Sequence, residues 1–525
     1  MLSLLKQKKL LHRAELQLDE NPMLALEAVQ QLLNAGASRQ SLLLLKARIL
    51  VRCGRYLESA ILLEQLATQD VGNLNLYTLW VNALLSAGAY SKLEKVLRNF
   101  GDLFGVTDFD FLNSIVTASR FVGEVESTKL LVEHMVTQFP ERKGLVAQLG
   151  ITYQSLGDIE KAQDCFKRAV ADDNRGLNAY FLSYNNKWDV ENNNIAALKE
   201  NLNNDSSGGF DKALRFYALG KELEDIKQYE EAFSFYTHGA VIASKLFPYS
   251  IDADKNFFET VKGGFPAIHN AAIQGYEDDD PIFILGMPRT GSTLIDTIIS
   301  SHSEVYSAGE LLTFREVLKL FSGYPGGGKD LEKFYSNARN SKLDFAQIGE
   351  MYSTLARVSA SQDKRFIDKL PMNHVLLGVI ALALPNAKFI YSHRGPLDVC
   401  VSNYRQIFQA GFYPYSYDIE AIAHHYLMYK NLMDFWIKLF PERVLKVDYE
   451  KLVNNSVEEI RGIIEFCNLP WEDSCLIFHK TKKAVNTPSA SQVREPIYRS
   501  SVEQWRRYES RLRPAIKVFE EAGVL

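Results

Sequence analysis

Glycines recur at positions 54, 88, 123 and 157, at spacings of 34, 35 and 34 residues. Each ends an apolar-periodic stretch, and two residues on stands Tyr56, Tyr90, Val125 or Ile159 at the head of another. In the last unit Ile159, Ala162, Phe166, Ala169 and Val170 keep the spacing of one buried helical face. Glycine suits the turn because it accepts the left-handed conformation that ends one helix and lets the next fold back. A helix pair of this size cannot bury its apolar face alone, so the pairs must stack on one another. The pattern is best over residues 41–172. A degenerate unit is expected from Asn21-Pro22 and another at Gln228-Tyr-Glu-Glu-Ala-Phe233.

At 525 residues the chain is too long for one ordinary core. Its hydrophobic content of 46%, charged content of 23% and net charge of -5 are those of a soluble globular protein. That charge balance gives no basis for nucleic acid or an anionic membrane as partner, so any anion site must be local. Five scattered cysteines, odd in number and without a CxxC, predict reduced thiols, with no disulfide framework and no metal. The start, Met1-Leu-Ser-Leu-Leu-Lys-Gln-Lys-Lys-Leu10, lacks a continuous apolar signal region, and no apolar run is long enough to span a membrane. A cytoplasmic location is the expectation. The tract from Asn185 to Gly209 reads as an irregular interruption, and Glu277-Asp-Asp-Asp280 as a solvated boundary. Three segments are expected: a helical repeat domain over 1–245, a linker over 246–280 and an α/β domain over 281–525.

The second half opens on Pro281-Ile-Phe-Ile-Leu285, a short apolar strand candidate, followed by Gly286-Met-Pro-Arg-Thr-Gly291 and a helical stretch from Ser292. A strand, glycine loop and helix in that order aim backbone N–H groups and a helix N-terminus at one anion. Against the pattern G-x-x-x-x-G-K-[ST], both glycines and a hydroxyl (Ser292 or Thr293) are present, but Ser292 stands where lysine belongs. Without that lysine, nucleoside triphosphate hydrolysis is disfavoured. Arg289 lies inside the loop and can grip an oxyanion with a planar fork.

A second strand candidate, Lys388-Phe-Ile-Tyr-Ser392, runs into His393-Arg394, and Ser402 lies eight residues on, about two turns into a helix that starts near Pro396. Arginine and hydroxyl can converge there on one more phosphate. Together with Pro288-Arg-Thr-Gly-Ser-Thr-Leu294, Phe366-Ile-Asp-Lys-Leu-Pro371 and Ser307-Ala-Gly-Glu-Leu311, this segment resembles the sulfotransferase family. The version it resembles is that of tyrosylprotein sulfotransferases and of bacterial proteins joining tetratricopeptide repeats to a sulfotransferase domain. The resemblance spans about 281–508. It implies an α-helical tetratricopeptide-type superhelix followed by a three-layer α/β, P-loop-like sulfotransferase domain with a parallel sheet.

It further implies 3′-phosphoadenosine 5′-phosphosulfate (PAPS) as co-substrate without a catalytic metal. The acceptor is an hydroxyl, peptidyl tyrosine in that branch, or an amine, carried on a protein, peptide or small molecule. The repeat surface is expected to take a protein partner. By resemblance, Arg289, Thr290, Gly291, Ser292 and Thr293 hold the 5′-phosphosulfate, Arg289 and Lys369 are catalytic, with Lys369 on the bridging oxygen to stabilise charge on the leaving diphosphate, and Glu310 is the base. Arg394 and Ser402 take the 3′-phosphate, Tyr449 lies by the adenine or its phosphate, and Ser489, Ser491, Gln492, Val493 and Arg494 cover the nucleotide. His374 is the second candidate base. Two positions depart from the family: Gln504 precedes Trp505 where a basic residue belongs, and Gln406 replaces an arginine that Arg405 misses by one. Arg494, Arg499 and Arg506 stand near enough to substitute. Ser322–Lys329 reads as a loop, and His424-His425 as structural. The rival classes are a small-molecule P-loop kinase and an inactive repeat scaffold.

Overall fold

In the computed structural model all four repeat glycines are left-handed, with φ of 67°, 65°, 86° and 85° at Gly54, Gly88, Gly123 and Gly157. Each joins a pair of helices, as Gly88 joins Leu74–Ser86 to Tyr90–Arg98 and Gly157 joins Gly144–Leu156 to Ile159–Asp172. The structure describes residues 4–37, 40–100, 103–173, 175–204, 209–269, 274–323, 330–337, 343–358, 363–408, 411–480 and 492–525. Residues 205–208 of the expected interruption and 324–329 of the glycine-rich loop lie outside this set.

The period runs farther than the glycines do. Lys227, 70 residues past Gly157 and so two periods on, holds φ of 66° just before the helix Tyr229–Leu246. A lysine there carries backbone strain of about 1 kcal/mol, which tight packing of the flanking helices offsets. A Cβ on Gly220 would lie 2.7 Å from the Tyr236 ring, and one on Gly239 would lie 2.8 Å from the Tyr217 ring.

The segment expected to be a linker carries a helix, Ile251–His269. Its buried residues Phe258, Val261, Phe265 and Ile268 recur at the spacing of one helical face. Phe265 meets Trp436 edge-on with ring centres 4.8 Å apart, and Asp254 pairs with His425 at 2.6 Å. The acidic run is only partly solvated: Glu277 and Asp279 are exposed, whereas Asp278 and Asp280 are paired. Arg357 contacts Asp278 at 2.6 Å and Asp280 at 2.7 Å, and Asp278 is buried. Charge pairing at Asp278 and Asp280 holds the chain as it enters the sheet.

Among the described residues five strands form one parallel sheet: β1 (Pro281–Gly286), β2 (Val305–Ser307), β3 (Arg365–Lys369), β4 (Lys388–His393) and β5 (Val444–Asp448), in the order β2-β3-β1-β4-β5. β1 is buried along its whole length, hence its continuous apolar run. Ile282 and Ile284 pack on one face with Ile295 and Ile298 of the helix Ser292–Ser300 and Ile460 of Ser456–Phe466. Phe283 faces the other way and stacks on Phe389 at 5.3 Å and Tyr352 at 5.7 Å. Helices cover both faces, giving three layers. From β1 the chain builds β2 and β3 on one side, then crosses to β4 and β5 on the other. In such sheets the carboxyl ends of the strands that flank the crossing form the binding crevice.

Candidate active site

The loop after β1 is held from behind. Thr290 Oγ1 donates to the Met287 carbonyl at 2.8 Å, and Asn403 Nδ2 to that of Pro288 at 2.9 Å. Arg394 Nη1 donates to the Arg289 carbonyl at 3.1 Å, and Ser392 Oγ to that of Thr290 at 2.9 Å. Those bonds tie the loop's carbonyls back, the arrangement in which a strand–loop–helix turn can present N–H groups and a helix start to an anion. Left-handed backbone at Arg289 (φ 69°) and Gly291 (φ 103°) bends the loop back on itself. Glycine is also needed sterically: a Cβ on Gly291 would lie 2.6 Å from the Tyr449 ring, and one on Gly286 would lie 2.7 Å from the Ser392 carbonyl oxygen. Ser292 and Thr293 are buried at the helix start.

Arg394 follows β4 and is 6% exposed. Its guanidinium lies 3.3 Å from Ser402 Oγ, 4.0 Å from Asp398 and 4.8 Å from the centre of the Tyr449 ring, and it also donates to the Ser501 carbonyl. The structure therefore brings together Arg289, Thr290, Gly291, Ser292, Thr293, Arg394, Ser402 and Tyr449. Burial holds the Arg289 pKa below its usual value, and the charges of Arg405 and then Arg394 add to this. Guanidiniums that destabilise one another in this way form a strong trap for an anion.

On the other flank of β1, the chain leaving β2 keeps company with β3. Ala308 N–H donates to the Ile367 carbonyl at 2.9 Å and Lys369 N–H to that of Gly309 at 2.8 Å. This pairing brings Glu310 to the ammonium of Lys369, which contacts its carboxylate. Lys369 is 2% exposed, whereas the Glu310 side chain is 46% exposed. Asp368 beneath them is fully buried and accepts from the Tyr352 hydroxyl at 2.9 Å. Burial pushes the Asp368 carboxyl up to about 7. The same charges reach the repeat half: burial raises the Tyr90 phenol, and Asp368 and Glu310 raise it further.

Other expected residues lie elsewhere. Ser489 and Ser491 lie outside the described residues, and Gln492 begins the short turn Gln492–Arg494 in which Val493 is buried. Arg494 turns to the repeat half, donating to the Ser155 carbonyl at 2.8 Å and lying where a Cβ on Gly157 would be, at 2.6 Å. His374 is in the core, with Nδ1 2.9 Å from the Pro371 carbonyl and its ring 4.6 Å from that of Tyr429; burial pulls it down to about 4.

Both glutamines that depart from the family pattern serve as scaffold. Gln406 bonds the Tyr180 phenol of the repeat half, and Gln504 accepts from Arg405 Nη2 at 3.0 Å. Arg405 in turn is paired with Glu224, again from the repeat half. Sequence reasoning missed Asp368, Ser392, Asn403, Tyr180 and Glu224. Asn403 and Ser392 adjoin recognised motifs and could have been noticed there. Tyr180 and Glu224 sit in helices of ordinary pattern and leave no signal in the chain.

Residues 281–473 match the profile of the sulfotransferase family, and residues 145–171 match that of a tetratricopeptide repeat. The chain carries a sulfotransferase-family domain. An uncharacterized protein of Aquifex aeolicus is 32% identical over 446 residues, covering 83% of this chain and 58% of that one. A protein-tyrosine sulfotransferase of Drosophila melanogaster is 24% identical over 251 residues, covering 45% of this chain and 49% of its relative. The chain thus spans about half to three-fifths of the length of these relatives. Among solved structures, the sulfotransferase domain from the Synechococcus PCC 7002 olefin synthase aligns with 48% of this chain and 96% of its own, at 19% identity and a TM-score of 0.33. Among the described residues of this sulfotransferase-domain protein, no helix is long and apolar enough to cross a membrane.

Proposed function

We propose that this domain transfers a sulfuryl group from PAPS to an acceptor hydroxyl, with peptidyl tyrosine the first acceptor to try. The observation that carries this reading is the convergence, at the crossing point of the sheet, of a lysine-free phosphate loop, the Arg394–Ser402 pair and the Lys369–Glu310 pair. The crevice fits a doubly phosphorylated nucleotide: its loop carbonyls are turned away, two glycines leave room for backbone approach, and Arg289 and Arg394 supply positive charge.

In this reading the N–H groups at Arg289–Thr293 hold the 5′-phosphosulfate, and Arg394 with Ser402 holds the 3′-phosphate. The acceptor oxygen bonds to sulfur as the bond from sulfur to the bridging oxygen breaks. Glu310 takes the acceptor's proton, and Lys369 meets the charge that develops on the leaving oxygen. Relatives bearing the protein-tyrosine sulfotransferase name support the choice of acceptor, and the tetratricopeptide repeats support a protein as its carrier. The test uses sulfur-labelled donor with a tyrosine peptide and with fractionated lysate. Wild type should label an acceptor, and Glu310→Ala should bind adenosine 3′,5′-diphosphate as wild type does while labelling nothing. Retained labelling by that variant would move the base elsewhere.

A further inference from the structure

The repeat half does more than stand beside the donor site. Glu224 ends the helix Phe210–Asp225, and its carboxylate reaches Arg405, three residues past Ser402. One carboxylate oxygen takes the Arg405 guanidinium, and the other accepts from the Tyr236 hydroxyl at 3.0 Å. Both members of the ion pair are largely buried. The Tyr184 hydroxyl bonds the Arg405 carbonyl, and the Arg405 guanidinium lies 6.0 Å from the Tyr508 ring centre. A carboxylate gripped from two sides is a fixed charge.

Arg405 is not remote from the phosphate loop: it stands two residues past Asn403, which holds the Pro288 carbonyl, and its guanidinium bonds Gln504, three residues past the Ser501 carbonyl that takes Arg394. Arg394 and Arg405 are thus both anchored beside the loop that carries Arg289, and their charges act on it. Two carboxylates temper them: Asp398, 4.0 Å from Arg394, and Glu224 on Arg405.

We propose that Glu224 sets the affinity of the donor site, occupying Arg405 so that the nucleotide is held less tightly than three arginines would hold it. The proposal rests on the sulfuryl-donor reading, and its ligand is the adenosine 3′,5′-diphosphate portion common to the donor and its by-product. A fixed negative charge near a polyanion weakens binding and speeds its release. The repeat half would in this way act on turnover without touching the acceptor.

Glu224→Gln removes the charge and keeps the shape. Calorimetric titration with adenosine 3′,5′-diphosphate at low ionic strength should show binding about tenfold tighter than wild type. The gain should shrink at high salt and vanish when Arg405→Gln is added. Equal or weaker binding by a Glu224→Gln protein of unchanged unfolding temperature would overturn the proposal. If that variant unfolds early, Glu224→Asp, which withdraws the carboxylate by one methylene, should bind about threefold tighter, and no gain there overturns it equally. Failure of wild type itself to bind the diphosphate contradicts the donor reading instead, so the two failures are distinguishable.

Discussion

Lys369 and Arg394 stand at neighbouring ends of one sheet, flank the same loop and are both nearly sealed from solvent, yet their partners differ in kind. Arg394 is held by the carbonyls of Arg289 and Ser501, by the Ser402 hydroxyl and by the face of Tyr449, and the Asp398 carboxylate, 4.0 Å from it, is itself buried. Lys369 is held by Glu310, a carboxylate nearly half in solvent. A half-exposed acid can leave its partner, meet a second molecule and take up a proton. In the proposed reading the Arg394 side serves as a cradle, and the Lys369 side as a reactive pair.

The largest effect that would break this contrast is on turnover. Lys369→Ala should lower kcat by about 10³-fold while the Kd for adenosine 3′,5′-diphosphate stays within about threefold, measured by initial rates and calorimetry. A variant that lost binding but kept its rate would exchange the two roles. Next in size, Arg394→Ala should weaken diphosphate binding by about 10²-fold, because in the proposed reading it removes a buried charge from the nucleotide's phosphate.

A smaller effect tests how firmly a repeat turn supports the Glu310 side. A Cβ on Gly88 would lie 2.7 Å from Thr313 Oγ1, in the helix that follows Glu310, whereas a Cβ on Gly123 would meet nothing within 4 Å. Both substitutions carry left-handed strain of about 1 kcal/mol, and Gly88→Ala should add about 2 kcal/mol of overpacking, read from urea unfolding. Equal costs would detach that turn from the site.

The smallest effect concerns the acid beneath the pair. Asp368 has a raised pKa, about 7, so the folded state holds its proton more tightly than the unfolded chain does. Its contribution to stability is fully present at acid pH and is lost as pH rises through 7. Between about pH 5 and 8 wild type should therefore lose more than about 1 kcal/mol relative to Asp368→Asn, as followed by unfolding temperature. Parallel profiles would show that Asp368 titrates normally.

What could be read from the chain divides along physical lines. The repeat glycines were legible because a left-handed turn favours glycine, and Lys227 escaped notice because it holds the same φ without being one. The loop from Gly286 to Gly291, and Lys369, Glu310, Arg394 and Ser402, were legible as local motifs beside strands. Their meeting depends on sheet order, which brings residues 310 and 369 together across the crossover from β2 to β3. The helix Ile251–His269 was legible from Phe258, Val261, Phe265 and Ile268, but the acidic run after it drew the segment into a linker. Glu224 was not legible at all, since a glutamate at the end of an amphipathic helix is an ordinary solvent-facing residue until tertiary structure gives it Arg405. Similarly, Arg494 reads as a phosphate contact in sequence, and only the fold shows it turned to Ser155.

The central claim, that the crevice between β3, β1 and β4 receives a sulfuryl donor, is tested most directly by ligand-dependent thermal stability. The full chain should be titrated with adenosine 3′,5′-diphosphate and, separately, with ATP–magnesium. The account predicts an unfolding temperature that climbs with the logarithm of diphosphate concentration and does not move with ATP–magnesium. A rise with ATP–magnesium alone would contradict it, and no response to either would leave a scaffold in place of an enzyme.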